Sequence, residues 1–183
     1  MKFKYLFTVI LIVAIYLFYS QKHGVTLVQN PTPSPTSATA SAVLGVQTKT
    51  TGCVASNGLQ DTACTPGAII ATATKEQICQ SGYSKSVRFV PIEEKRQVYE
   101  EYGIISHSPG QYEVDHLISL ELGGSNDISN LWPEAAQPEP GFHQKDFLEN
   151  YLHDQICNGS MSLQEAQQKI STNWLSVYNT LPH

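Results

Sequence analysis

The pattern of hydrophobic and polar positions divides the chain into three stretches. The first, residues 1–23, contains an apolar run from Tyr5 to Tyr19 that only Thr8 interrupts. This run is long for the core of a signal peptide and slightly short for a membrane-spanning helix, which needs about 20 residues. We therefore predict an N-terminal hydrophobic helix that is either a signal peptide or an uncleaved membrane anchor. No small-x-small cleavage motif follows the run directly, which favours the anchor.

The second stretch, residues 24–52, has no hydrophobic period and is rich in Thr, Ser, Pro and Ala. Such a composition cannot bury enough apolar surface to offset the entropy cost of ordering the backbone. We interpret it as a flexible stalk or linker. The third stretch, residues 53–183, is long enough to form a small domain with its own core. Lys2 and Lys4 precede the apolar run and indicate that this domain lies outside the cytoplasm.

The domain mixes the periodicities of helices and strands, which predicts the α+β class. A helix over residues 91–103 begins at Pro91 and ends at Gly103, and both residue types are typical of those positions. Two short strands are predicted on either side of a Gly-Gly turn, and the second of them is expected to end at Pro133. The strands cover residues 112–120 and 128–132, and the helices that follow cover residues 142–159 and 162–181.

All four cysteines, Cys53, Cys64, Cys79 and Cys157, lie in the domain. An even number of cysteines in an exported domain predicts two disulfide bonds. Three pairings are possible, and we favour Cys53–Cys64 with Cys79–Cys157, which closes one local loop and ties the front of the domain to its back. A zinc site built from the four cysteines is the alternative, although the C-x-x-C spacing of such sites is missing.

The charge of the domain limits the partners that it can bind. Residues 53–183 carry 16 carboxylates and seven lysines and arginines, a net charge of −9. Proteins that bind duplex DNA electrostatically are usually basic on one face. If nucleic acid is the substrate, we therefore expect weak or metal-assisted binding.

Asp115 and His116 lie side by side in a predicted strand that is otherwise largely apolar. A buried strand needs neither side chain, whereas a general base or a metal site needs both. We predict that His116 is a general base that takes a proton from the water molecule that hydrolyses a phosphodiester. Neighbouring side chains of a regular strand point to opposite faces, so this site requires the strand to bend or end there.

A carboxylate and an imidazole can hold one divalent cation and leave positions open for water and a phosphate oxygen. We predict Asp115 and His143 as the ligands of Mg²⁺, with Mn²⁺ or Zn²⁺ as alternatives. Asp146 lies on the same face of the predicted helix as His143 and is the alternative ligand. Asn130 is the second predicted catalytic residue, because its amide can donate and accept and can fix either the loop or the ring of His116.

The order of these residues resembles a known family. Asp115-His116 lies on the first strand, Gly123-Gly124 at the turn, Asn130-Leu131 at the second strand and His143 at a helix start. This order resembles the HNH nucleases of the ββα-metal-finger (His-Me finger) class. A wider pattern is similar to a subgroup of exported bacterial proteins. It comprises CTPGA (64–68), ICQSGYSKSVR (78–88), YEVDHLISLELGG (112–124), NLWPE (130–134) and KDFLENYLHDQICNG (145–159).

The resemblance implies a ββα-metal-finger core with flanking helices and a metal-dependent endonuclease activity. Two features depart from the usual HNH form. No C-x-x-C pair frames the motif, and the segment between Asn130 and His143 is long.

Two classes of function remain open. The first is an extracytoplasmic, metal-dependent endonuclease, membrane-anchored or secreted, with nucleic acid as its substrate and His116 as its base. The second is a non-catalytic, disulfide-braced extracellular binding or adhesion module on an HNH-like frame. The acidic domain favours the second class, and the combination of Asp115, His116, Asn130 and His143 favours the first. The membrane is a further partner if the N-terminal helix is uncleaved. The sequence does not distinguish DNA from RNA as the substrate, and it predicts no oligomeric state.

Overall fold

The computed structural model of the chain describes residues 44–182, so the predicted N-terminal helix and most of the predicted stalk lie outside the described residues. Within them the fold is mixed α+β, as predicted. The elements are α1 (Lys75–Ile78), α2 (Tyr83–Val87), α3 (Ile92–Glu101), β1 (Tyr112–His116), β2 (Leu131–Ala135), α4 (Phe142–Cys157) and α5 (Leu163–Tyr178), with 3₁₀ turns at Leu120–Leu122 and Ile128–Asn130.

β1 pairs with β2 in an antiparallel sheet, and the last pair of the register joins His116 to Leu131. The strand ends at His116 rather than at the predicted Leu120. The reason is that the backbone N–H and carbonyl of Ile118 bond to the side chain of Asn130 instead of to a neighbouring strand. The predicted site required the strand to bend or end at this point, and the strand does end at His116.

β2 begins at Leu131 and continues through Pro133, so the prediction of a strand over residues 128–132 that ends at this proline is wrong. The predicted start at Ile128 is instead a 3₁₀ turn. Pro133 pairs with Val114 inside the sheet. Each strand of a two-stranded sheet is an edge strand, so the nitrogen of Pro133 can face away from the partner and no ladder hydrogen bond is lost.

The Gly-Gly turn between the strands needs both of its glycines. Gly123 ends a 3₁₀ turn with a φ of 74°, a left-handed conformation that favours glycine. Gly124 donates to the carbonyl of Ser119, and a Cβ at this position would overlap the carbonyl of Ile118. The chain can therefore fold back tightly after His116 only with glycine here.

The main core lies between α4, α5 and the segment that follows β1. Leu148, Leu152 and Ile156 of α4 are fully buried there, whereas Phe147 of the same helix is about half exposed. Burial of each of the three aliphatic side chains contributes about 1.5–3 kcal/mol. The other members of this helical core are Ile78, Ile118, Leu122, Ala166, Ile170, Trp174 and Leu181.

Both disulfide bonds have the favoured pairing. Cys53 is bonded to Cys64 across 11 residues, and Cys79 is bonded to Cys157 across 78 residues. The second bond ties the end of α1 to the last residue of α4. No free cysteine is left in the described part of the chain, so the domain is disulfide-braced, as predicted.

Residues 44–52, at the end of the predicted linker, contact the domain. The side chain of Leu44 packs on the helical core, Gln47 donates to the carboxylate of Glu101, and Lys49 forms an ion pair with Asp61. None of the helices in residues 44–182 combines the length and the hydropathy needed to cross a membrane.

Candidate functional site

His116 is the last residue of β1 and is 2% exposed. Its Nε2 atom lies 3.2 Å from Oδ1 of Asn126. The same oxygen accepts the backbone N–H of Phe89 at 3.1 Å, while Nδ2 of Asn126 donates to the carbonyl of Val87 at 2.7 Å. These bonds fix the amide orientation, so His116 donates from Nε2 and the lone pair of the neutral ring lies on Nδ1. The ring is thus held in the tautomer that leaves Nδ1 to act as a base.

The environment of His116 keeps its ring neutral. Burial is the main cause that lowers the pKa of His116 to about 4; Asp115 and Asn126 act in the opposite direction, and the charges of Arg88 and Lys145 add smaller contributions to the lowering. The ring is therefore unprotonated at neutral pH and able to accept a proton. It is also a weaker base than a solvent-exposed histidine, whose pKa is about 6.5.

Asn130 is completely buried, and its amide is used entirely by the loop after β1. Oδ1 accepts the N–H groups of Ala68 and Ile118 at 3.2 and 3.0 Å, and Nδ2 donates to the carbonyls of Ile118 and Ser125 at 2.9 and 2.8 Å. Of the two roles predicted for Asn130, the structure therefore has the loop-fixing one. The partner of the His116 ring is Asn126, which the sequence analysis missed although it lies in the predicted turn.

Lys145 is the residue that sequence reasoning most underestimated. Its side chain is fully buried on α4, and Nζ lies 2.6 Å from Oδ2 of Asp115 and 2.8 Å from the carbonyl of His116. Nζ also forms an ion pair with Glu149 and lies 3.9 Å from Oε2 of Glu134. We call these four residues, Asp115, Glu134, Lys145 and Glu149, the Lys145 cluster.

One ammonium group in the Lys145 cluster faces three carboxyl groups. Burial would lower the pKa of Lys145, but the three acids raise it well above its usual value. Burial would raise the pKa of Asp115, but Lys145 holds it below its usual value. Burial raises the pKa of Glu149 to about 8 and that of Glu134 well above its usual range. Near neutral pH the cluster therefore holds the Lys145–Asp115 ion pair, while burial favours the protonated forms of Glu134 and Glu149.

A polar cleft of about 460 Å³ lies beside the His116 ring. Asp115, His116 and Asp146 line it, whereas His143 does not. His143 is exposed at the start of α4, and its ring packs on that of Phe142 with the centroids 4.4 Å apart. The cleft thus brings together the predicted base and two of the three predicted metal ligands.

The predicted ligands do not form a preassembled metal centre. Among residues 44–182, three His, Cys, Asp or Glu ligand atoms lie within 4.8 Å of one another only at Cys79, His153 and Cys157, where the two sulfurs form a disulfide bond. In the cleft, burial and the charge of Asp115 raise the pKa of Asp146. These carboxylates therefore repel each other, and an all-oxygen set of this kind is what Mg²⁺ or Mn²⁺ binds.

The opposite wall of the cleft is basic. Arg88 and Lys95 line it, and no carboxylate of the described residues lies within 4.0 Å of either cationic group. Arg96, which is close in sequence, is instead paired with Glu93 and Glu100. The cleft therefore combines a neutral histidine, carboxylates and two available cations.

A larger groove of about 670 Å³ runs along the other side of β2. Two of its lining residues, Trp132 and Glu134, carry buried polar atoms that make no hydrogen bond with the described residues. These atoms have almost no accessible surface, so a ligand in the groove could not reach them without rearrangement. The smaller cleft, where the titratable groups meet an open surface, is the better candidate site.

Comparisons of the chain with protein-family models, with curated proteins and with solved structures found no match. The class of protein is therefore argued from the site itself.

Proposed function

We propose that the chain is an extracytoplasmic, metal-dependent endonuclease that hydrolyses phosphodiester bonds of nucleic acid. The observation that supports this most directly is the held tautomer of His116. Its Nε2 donates to Asn126 at 3.2 Å, which leaves Nδ1 as the proton acceptor in a cleft that also contains carboxylates and cations.

The arrangement of the elements supports a ββα-metal-finger core for the same region. β1, β2 and α4 follow one another along the chain, and the Nζ atom of Lys145 on α4 reaches Asp115 and the carbonyl of His116 on β1. The two strands and the helix therefore form one unit around the candidate base. The resemblance to HNH nucleases rests on this unit and on the order of residues in it.

The proposed reaction assigns a task to each wall of the cleft. Nδ1 of His116 accepts the proton of the attacking water, and Asn126 keeps the ring in position. Arg88 and Lys95 hold non-bridging oxygens of the phosphate. Asp115 and Asp146 are the residues that would hold the divalent cation, which supplies charge neutralisation at the phosphate and the leaving oxygen. The all-oxygen ligand set favours Mg²⁺ or Mn²⁺ over Zn²⁺.

The proposed location is outside the cytoplasm. Two disulfide bonds support it, because such bonds persist in oxidising compartments. Whether the chain is anchored or released depends on residues 1–23, which lie outside the described residues.

A second candidate function is a non-catalytic extracellular binding or adhesion module. The observation that favours it is the ion pair between Lys145 and Asp115, because an ammonium group already neutralises the carboxylate that a metal would need. The net charge of −9 on residues 53–183 also weakens binding to duplex nucleic acid.

Cleavage assays on the full chain separate the two candidates. Supercoiled plasmid and a labelled single-stranded oligonucleotide are incubated with the protein and Mg²⁺ or Mn²⁺, with a chelator, and with His116→Ala in place of the wild type. We expect cleavage that needs the divalent cation and disappears in the variant. Absence of cleavage of every substrate by the wild-type protein would favour the binding module.

The ligand assignment is tested separately by calorimetric titration of Mn²⁺ into the full chain. We expect Asp115→Ala and Asp146→Ala to weaken the affinity. His143→Ala serves as the comparison, because His143 lies outside the lining of the cleft. A loss of affinity in His143→Ala alone would return the assignment to the imidazole.

A further inference from the structure

Phe89 is an aromatic side chain that the fold leaves in water. It lies between α2 and α3 and is 74% exposed. Its backbone is nevertheless fixed, because its N–H donates to Oδ1 of Asn126 at 3.1 Å. The same oxygen accepts from Nε2 of His116 at 3.2 Å. One amide therefore holds both the ring of the candidate base and the backbone of Phe89, which follows Arg88 of the cleft lining, although the side chain of Phe89 is not itself part of that lining.

The residues on both sides of Phe89 suit a nucleic-acid strand. Arg88 precedes it, and Lys95 follows one turn into α3, and both line the cleft without a carboxylate within 4.0 Å in the described part of the chain. Arg88 lines the same cleft as His116 and Asp146. An aromatic side chain between available cations is the arrangement with which proteins bind single strands, because bases stack on the ring and phosphates meet the cations.

The rest of the domain argues for unpaired bases rather than a duplex. In a duplex the faces of the bases are covered by their neighbours, so Phe89 would have nothing to stack on. A domain with a net charge of −9 also gains little from the dense phosphate charge of a duplex. Trp132, on the strand that pairs with β1, is buried and offers no surface on which a base could stack.

We propose that Phe89 is a base-stacking platform that, with Arg88 and Lys95, selects nucleic acid with unpaired nucleotides at the His116 cleft. This inference rests on the proposed nuclease function for its biological meaning. It concerns binding, however, and binding can be measured when cleavage is blocked. The side chain of Phe89 can be changed without losing the backbone bond to Asn126.

The binding test uses the full chain carrying His116→Ala, so that the probe is not cut. The probe is a short single-stranded oligonucleotide with a central 2-aminopurine, and the same sequence annealed to its complement is the second probe. Phe89→Ala, Phe89→Leu and Phe89→Trp are compared in this background. Ile105→Ala is the control, because Ile105 is fully exposed and, unlike Phe89, is not held by the side chain of Asn126.

We expect the single strand to bind about 5- to 100-fold more weakly to Phe89→Ala, the range that loss of one base–aromatic stack produces. Phe89→Leu should behave like Phe89→Ala, Phe89→Trp should restore the affinity and the 2-aminopurine quenching, and Ile105→Ala should bind like its parent. Equal affinity of Phe89→Ala and its parent for the single strand would overturn the inference. So would a parent protein that binds the duplex more tightly than the single strand.

Cleavage by the His116-containing protein distinguishes this failure from failure of the proposed function. If the wild type cuts nucleic acid and Phe89→Ala cuts single strands equally fast, the stacking inference is wrong and the nuclease proposal stands. If the wild type cuts nothing but binds single strands through Phe89, the stacking surface stands and the nuclease proposal fails.

Discussion

The two halves of α4 follow one helical pattern but bury opposite kinds of side chain. Towards its C-terminal end, Leu152 and Ile156 pack into the helical core. Towards its N-terminal end, the same buried face carries Lys145 and Glu149, which enter the Lys145 cluster. Positions four residues apart share a helix face. The two halves therefore bury the same face of the helix, but one buries apolar side chains and the other buries ionisable ones.

The two regions differ in how burial of their side chains contributes to the free energy of folding. The helical core gains stability from burying apolar surface, which requires neither direction nor charge. The Lys145 cluster removes charges from water, and replacing such a group by hydrophobic residues is often neutral or stabilising in other proteins. We infer that the Lys145 cluster serves to position Asp115 beside the candidate base. The predictions below test whether the two regions differ in this way.

The largest difference is expected between His116 and Leu152. His116→Ala should lower cleavage about 10²–10⁴-fold, the usual contribution of a positioned general base. It should lower the free energy of unfolding by less than Leu152→Ala does, because the ring borders a polar cleft rather than the close-packed helical core. Rates are measured under single-turnover conditions, and stability is measured by urea unfolding.

Leu152→Ala is the matched variant in the helical core. It should lower the free energy of unfolding by about 2–5 kcal/mol and leave the cleavage rate of the folded protein unchanged. If both variants lose cleavage rate and unfolding free energy to the same extent, the proposed difference between the two regions is wrong.

The second prediction concerns Lys145→Met. Removing the ammonium leaves the carboxylate of Asp115 without its partner at 2.6 Å, which should cost about 3–5 kcal/mol of unfolding free energy. Lys169→Met is the control, because the pair of Lys169 with Glu165 is exposed at 3.6 Å and should contribute at most about 0.5 kcal/mol. Similar losses of unfolding free energy in both variants would show that burial does not strengthen the dependence of Asp115 on Lys145.

The contrast also explains which parts could be predicted from sequence. The helix over residues 142–159 could be predicted, because its apolar residues repeat at helical spacing. The disulfide pairing is the favoured one of the three that four cysteines allow. The burial of Lys145 could not be predicted in this way, because a lysine counts as polar in any periodic pattern. Its burial depends on Asp115, 30 positions earlier in the chain, and such a contact has no local signature.

The candidate site was predicted in the same uneven way. His116 and Asp115 were singled out because they interrupt an apolar strand, and the strand does end at His116. The ring partner Asn126 was missed because asparagine in a turn already has a local explanation. The end of β2 was misplaced because Pro133 signals a strand end unless the strand is known to be an edge.

The third prediction is the pH dependence of stability that Glu149 of the Lys145 cluster contributes. Glu149 has a pKa of about 8 in the folded protein, above its unfolded value, so the folded state binds more protons between about pH 4.5 and 8. Its contribution is complete below about pH 4.5 and is lost as the pH rises through 8. The free energy of unfolding should therefore fall by at most about 1.4 kcal/mol per pH unit in this window.

Glu149→Gln should remove that slope, and urea unfolding at several pH values measures it. His116, whose folded pKa is lowered to about 4, gives a slope of opposite sign below about pH 6.5, but it does so in both proteins and cancels in the comparison. Identical pH profiles would show that Glu149 is ionised in the folded state at neutral pH.

The fourth prediction compares the two disulfide bonds. In the chain-entropy account, the bond that closes 78 residues stabilises by about 1.5 kcal/mol more than the bond that closes 11. The Cys79→Ser/Cys157→Ser variant should therefore melt at a lower temperature than Cys53→Ser/Cys64→Ser. Cys79 of the longer-range bond packs against the helical core. The Cys53–Cys64 bond packs with Tyr102 and Trp132. The reverse order would indicate that the region around the Cys53–Cys64 bond is the less stable one.

The smallest expected effect concerns the cations of the cleft. Arg88 and Lys95 are available there, whereas Arg96 is held by Glu93 and Glu100. Each phosphate that a cation neutralises on a single strand contributes about −0.7 to the slope of log affinity against log salt, so two contacts predict a slope of about −1.4. Arg88→Ala should halve this slope and weaken binding at low salt, and Arg96→Ala should change neither the slope nor the affinity.

The slope is measured with the His116→Ala protein and a single-stranded oligonucleotide, in a chelator so that no divalent cation bridges the two. A slope several times steeper than −1.4 would reveal a basic surface that the net charge of −9 conceals. Equal slopes for Arg88→Ala and Arg96→Ala would show that the two arginines do not differ in availability. The cleft would then have to hold phosphate through Lys95 or through a bound cation, and Arg88 would have no part in binding.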